Sequence, residues 1–118
     1  MRKQCHNPYM PLWEHVPDGE PHVFGDRLYV YGSHDLENGN EFCEQDYVCW
    51  SAPVTDLSDW RCDGVIYKKE QDPYNQDALP LYAPDVVKGP DGRYYLYYCI
   101  KFQDSINVAV CDTPAGEL

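Results

Sequence analysis

The 118-residue sequence contains no apolar run approaching the roughly 20 residues that a membrane-spanning helix requires. No membrane partner is therefore expected. Basic residues are scarce, with Lys and Arg contributing 9 against 20 Asp and Glu, for a formal net charge of −11. A phosphate backbone or an anionic membrane surface would be repelled overall, so nucleic acid is excluded as an expected partner. Arg2 and Lys3 are not followed by the apolar stretch of about 7–15 residues that a secretory leader needs. The expectation for the chain as it stands is a cytoplasmic location, with export of a longer parent left open. The six cysteines, at 5, 43, 49, 62, 99 and 111, include no Cys-x-x-Cys pair and no Cys/His cluster at zinc spacing. No metal site is expected from them. Cys49, Cys99 and Cys111 sit in apolar alternation and read as reduced packing thiols of a reducing compartment.

What is abundant is tyrosine, 11 of the residues, together with 10 Pro and 8 Gly. That balance belongs to turn-rich β structure with a polar aromatic surface. Near-alternation at period two runs over His22 to Ser33, Val86 to Ile100 and Ser105 to Cys111, each bounded by turn residues. Gly25-Asp26 divides the first run and Gly89-Pro-Asp-Gly92 the second, predicting two tight antiparallel hairpins. The hairpins also repeat each other. Pro21-His-Val-Phe overlays Pro84-Asp-Val-Val, and Arg27-Leu-Tyr-Val-Tyr overlays Arg93-Tyr-Tyr-Leu-Tyr. A third strand follows in each copy, and Arg61 to Tyr67 reads as a fourth strand of the first.

A repeat of about 60 residues with four antiparallel strands has the form of a β-propeller blade. The fold class expected is all-β, with blade one at about 20–68 and an incomplete blade two at about 82–118. A closed propeller needs more blades than two, so the chain reads as a fragment whose open blade edges favour self-association. A small β-sandwich with accidental self-similarity is the competing architecture.

In a propeller the first strand of each blade lines the central channel. Glu20, just before Pro21, and Asp85, just after Pro84, both stand near the start of such a strand and can point the same way. Paired carboxylates in a tyrosine-rich funnel suit sugar chemistry, where one acid and one base handle an oxocarbenium-like transition state. A solvated turn residue at 20 and a turn cap at 85 are the plainer alternatives.

The run from Leu81 to Tyr98 contains Tyr-Ala-Pro-Asp-Val followed by a tyrosine-rich strand. It resembles the Trp-Ala-Pro-Asp-Val segment of glycoside hydrolase family 43, five-bladed propeller enzymes acting on xylosides and arabinosides. Asn7-Pro8, Asp26 to Asp35, Thr55 to Trp60 and Val108 to Gly116 follow in family order. The resemblance implies the amino-terminal part of an inverting β-xylosidase or α-L-arabinofuranosidase domain, with a xylo- or arabino-oligosaccharide as partner. It implies three acids: a base on blade one, an acid on blade two that orients the proton donor and raises its pKa, and a donor glutamate on blade three. Asp85 matches the second. Glu20 stands where the family usually has the aspartate of an Asp-Pro pair, with Asp18 as the competitor. The donor has no counterpart in these residues, so the chain alone is expected to be inactive. No cofactor is required, although the resemblance allows Ca²⁺ in the full-length fold through a histidine of a later blade.

Further substrate-binding candidates are His34 and Asp35, which also read as a turn-bonded pair, and Tyr82, a smaller stacking platform or a packed core ring. Trp50 and Trp60 read as blade packing. Glu70 to Asp77 is acidic enough to suggest calcium but lacks the glycine and closing glutamate of an EF-hand loop, and reads as a solvated connection. A carbohydrate-binding propeller without catalysis and a structural β module remain as alternative functions.

Overall fold

The computed structural model describes residues 14–35 and 45–116. Asn7-Pro8, Cys5 and Cys43 lie outside the described residues. Seven strands are present: β1 (Glu20–Phe24), β2 (Arg27–His34), β3 (Gln45–Pro53), β4 (Arg61–Tyr67), β5 (Leu81–Lys88), β6 (Tyr94–Ile100) and β7 (Ile106–Cys111), with one short 3-10 turn at Lys69–Gln71. They form two antiparallel sheets, ordered β1-β2-β3-β4 and β5-β6-β7. Each sheet is a meander, as short connections between successive strands require.

The first hairpin closes in register with Phe24 opposite Arg27, and Gly25 takes the left-handed φ of 65° at the first turn position. Only glycine does so without steric cost, which fixes the register of everything downstream. At the second hairpin the Gly89 N–H bonds the Arg93 carbonyl at 2.8 Å, and Gly92 adopts φ 79°.

The sheets pack face to face, β2 against β5. Tyr29, Tyr31, Tyr47, Cys49, Ile66 and Tyr67 of the first meet Leu81, Val86, Tyr94, Leu96, Tyr98 and Ile100 of the second in one buried cluster. A buried tyrosine needs a hydrogen-bond partner for its hydroxyl. Here Tyr31 donates to the Pro114 carbonyl, Tyr47 donates to the Tyr82 carbonyl at 2.6 Å, Tyr67 pairs with Tyr98 at 2.8 Å, and Tyr98 bonds Asp72. Among the described residues no buried side-chain polar atom lacks a partner. The tyrosine content is thus explained by packing between sheets as much as by any wet surface.

The 70–77 stretch is the expected solvated connection at six of its eight positions, but Asp72 and Asn75 are buried within it. Asp72 accepts from Tyr98, from Asn107 Nδ2 and from the Tyr74 N–H. Asn75 donates to the Lys69 and Leu79 carbonyls and accepts the Leu79 N–H. These two side chains fold the connection on itself and satisfy the backbone groups they reach. Among the cysteines, Cys49 is buried as expected, whereas Cys99 and Cys111 are only half-buried and Cys62 is exposed.

The outward face of the second sheet is left apolar and open. Val87, Tyr97, Ile106, Val108 and Val110 are all exposed, and Asp85 pairs Tyr97 on the same side of the ladder.

Candidate active site

Glu20 at the start of β1, His34 at the end of β2 and the first half of β5 lie at one end of the two sheets. The second sheet is tied to the first at that end by the Ala83 N–H, which donates to Ser33 Oγ at 3.1 Å, and by the Tyr47 hydroxyl on the Tyr82 carbonyl. Between Tyr82 and Asp85 the β5–β6 register shifts, and Ala83 takes φ 39°. This is a β-bulge with a non-glycine residue in the left-handed region, a conformation that persists only where its surroundings impose it. Pro84 and Val86 turn into the core, so the bulge places Asp85 on the opposite side, with its side chain 57% exposed.

Ser33 is fully buried, and its hydroxyl is the acceptor that holds the bulge. Ser33→Ala leaves the Ala83 N–H without that acceptor and is expected to cost about 1–3 kcal/mol of unfolding free energy. Urea titration checks this, and a loss near zero would mean that the bulge holds itself.

Asp85 Oδ1 accepts from His22 Nε2 at 2.5 Å and from the Val86 N–H at 2.8 Å. The partner of Asp85 on β1 is thus His22 rather than Glu20. His22 is the residue that Asp85 overlays in the internal repeat, so equivalent positions of the two inner strands meet. Glu20 is exposed and lies two residues from His22 on the same face of β1, about 6–7 Å along the strand. Asp18 lies before β1, exposed, in a turn with φ 56°.

The other candidates sit differently. His34 Nε2 bonds Glu14 Oε1 at 2.5 Å, and Glu14 Oε2 accepts the Trp50 indole N–H at 2.9 Å. Glu14 is 95% shielded, its side chain retaining 5% exposure. The sequence gives no local hint of that role, since its partners are 20 and 36 residues away. The strand segment it reaches is open to close approach because Gly32 has no side chain: a Cβ there would stand 2.1 Å from Val16 Cγ1. Asp35 donates its N–H to the His15 carbonyl at 2.9 Å, and Tyr82 is half-buried with its carbonyl engaged by Tyr47. Trp50 is buried, and Trp60 donates to the Leu57 carbonyl. Among the described residues no three His, Cys, Asp or Glu side chains come together as a metal site.

No family model matches the chain. A xylosidase/arabinosidase of Thermoclostridium stercorarium is 64% identical over 118 residues, an alignment covering 99% of this chain and 25% of that protein. A xylosidase/arabinosidase of Bacteroides ovatus is 34% identical, covering 92% of the chain and 35% of the relative. Among solved structures, a family 43 β-xylosidase/α-arabinofuranosidase from a compost metagenome, in a calcium-free form with xylotriose, aligns with TM-score 0.75 at 28% identity over 98% of this chain and 37% of that one. A family 43 enzyme of Xanthomonas citri in complex with xylose aligns with TM-score 0.73 at 30% identity over 88% of this chain and 31% of that one. The chain therefore spans 25% and 35% of these two sequence relatives. The two meanders are blades of a β-propeller, not the layers of a sandwich. In sequence and in fold alike, the chain is similar to a portion of a xylosidase/arabinosidase of glycoside hydrolase family 43.

Proposed function

We propose that these residues form blade one and most of blade two of a glycoside hydrolase that cleaves β-xylosidic or α-L-arabinofuranosidic bonds in plant polysaccharide fragments with inversion. The observation that carries the reading is the bulge before Asp85, whose exposed side chain meets His22 of the other inner strand. A strained, clamped bulge beside a carboxylate is a device for aiming a side chain. The similarity to xylosidase/arabinosidases supplies the reaction class. Asp85 takes the role of the acid that tunes and orients a proton donor. Glu20 takes that of the base that activates water, with Asp18 as its competitor. His34 and Asp35 support the rim beside Glu20, and Tyr82 lines the approach. A xylo- or arabino-oligosaccharide is the partner.

The exposed apolar face at Val87, Tyr97 and Val108 is where a further sheet packs in the whole protein, and it is the face through which the isolated chain self-associates.

The test is a chimera in which this chain replaces the matching segment of the Thermoclostridium protein. The chimera is expected to hydrolyse aryl xylosides or arabinofuranosides, while the 118-residue chain alone turns over neither. Asp85→Ala should lower kcat of the chimera by about 10²–10⁴, the range that acid–base catalysis supplies. Glu20→Gln should do the same if Glu20 rather than Asp18 is the base. An inactive chimera that still binds xylose would instead establish a carbohydrate-binding module.

A further inference from the structure

We propose that His22 is a positioning residue for Asp85, selecting which carboxylate oxygen is presented to the proton donor. This rests on the reading of Asp85 given above. Oδ1 is occupied twice, by His22 Nε2 at 2.5 Å and by the Val86 N–H at 2.8 Å. Oδ2 is the oxygen left to face the opening from a side chain that remains half-exposed. The terminal torsion of an aspartate is broad and roughly two-fold, so a carboxylate held by one backbone donor alone exchanges its two oxygens. The imidazole removes that freedom.

His22 is itself held. Its ring stacks on Phe24 at 5.7 Å with the planes 15° apart and leans on Tyr31 at 6.5 Å. Phe24 in turn meets the Tyr94 ring of the second sheet edge-on at 5.1 Å. The donor nitrogen is therefore fixed to both blades, on the same rigid elements that hold the bulge. Because Asp85 accepts as a carboxylate, Nε2 carries the proton and donates it. The effect of His22 passes through Asp85.

A positioning role has a signature that packing alone lacks. Substrates with poor leaving groups depend on proton donation, and activated ones scarcely do. In the chimera, His22→Ala is expected to lower kcat on an alkyl or 4-methoxyphenyl glycoside by about tenfold or more, a part of the 10²–10⁴ available. The same variant should leave kcat on the dinitrophenyl glycoside within about twofold and KM nearly unchanged. His22→Gln, whose amide N–H reaches the same oxygen, should restore most of the loss. Equal losses on both substrates, or none, would overturn the proposal. So would failure of His22→Gln to restore a leaving-group-dependent loss.

The bond is tested separately on the 118-residue chain. A hydrogen-bonded His22 Nε2 proton is expected downfield in the proton spectrum and should vanish in Asp85→Ala. Its absence from the unmodified chain would overturn the positioning role. Its presence in a chain whose chimera has no activity would overturn the enzymatic reading while leaving the His22–Asp85 contact standing.

Discussion

Raising the pH past about 10 is expected to destabilise the protein steeply, by several kcal/mol over about two further pH units. The cause lies in the tyrosines between the sheets. Burial is the first reason that the hydroxyls of Tyr31, Tyr67 and Tyr98 are held above their ordinary value of 10.0. For Tyr98 the bond to Asp72 adds to the effect, since a phenolate beside that carboxylate would lose its donor and gain repulsion. For Tyr67 burial comes first, and its hydroxyl pairs with that of Tyr98. Burial and the neighbouring Asp63 likewise push the Cys49 thiol up from 9.0.

In every case the folded value lies above the unfolded one. The stabilisation is thus complete below about pH 9 and is lost as the unfolded chain releases protons that the folded chain retains. Each such group tilts the unfolding free energy by about 1.4 kcal/mol per pH unit, so Tyr31 and Tyr98, the two pushed up furthest, together give about 3 kcal/mol per unit above pH 10. Two units of that slope, about 6 kcal/mol, remove a stability at the lower end of the usual range of about 5–15 kcal/mol. Urea midpoints followed by tryptophan emission between about pH 8 and about pH 11, with tyrosinate absorbance recorded in parallel, measure the slope. Tyr98→Phe should make it shallower by about 1.4 kcal/mol per pH unit. Midpoints that do not move would show that the rings ionise in place, and the inter-sheet packing described above would be wrong.

Strand positions were legible because the physics that sets them is local. Alternation at period two and the glycines at 25 and 92 specify the faces and turns within a few residues. The fourth strand, Arg61–Tyr67, falls where its apolar run predicts. The repeat also carried a hint that composition could not: overlaying His22 on Asp85 pairs the two residues that meet across the blades. The bulge at Ala83 was not legible, since Tyr-Ala-Pro-Asp precedes the alternation that begins at Val86 and the forces that bend it come from Ser33 and Tyr47 of the other sheet. Asp72 misleads for the same reason. Its surroundings in sequence are acidic and polar, while its partners Tyr98 and Asn107 stand 26 and 35 residues away. A carboxylate's environment depends on what the fold brings to it, and composition averages over neighbours that never touch it.

Glu14→Ala is expected to be the most damaging single substitution outside the inter-sheet core. The Glu14 side chain is nearly fully shielded, with one oxygen on His34 and the His15 N–H and the other on Trp50, so its removal takes an acceptor from three groups at once. Leaving a buried donor without its acceptor costs about 1–3 kcal/mol, more than the median surface contact. Glu14→Gln keeps one carbonyl but turns an amide N–H toward the second donor, and should fall between the two. The loss is structural and local in its consequences. Residues 14–19 lie over β2 and run directly into Glu20 and His22, and the His15 carbonyl also accepts the Asp35 N–H at 2.9 Å. Releasing Glu14 therefore frees the entry to β1, and the Asp35 amide should exchange with solvent markedly faster in the Ala variant than in the parent chain. Urea unfolding and hydrogen exchange measure the two effects independently. A stability loss under about 1 kcal/mol with the Asp35 amide still protected would mean that the segment is held by Val16 against Gly32 and not by the carboxylate.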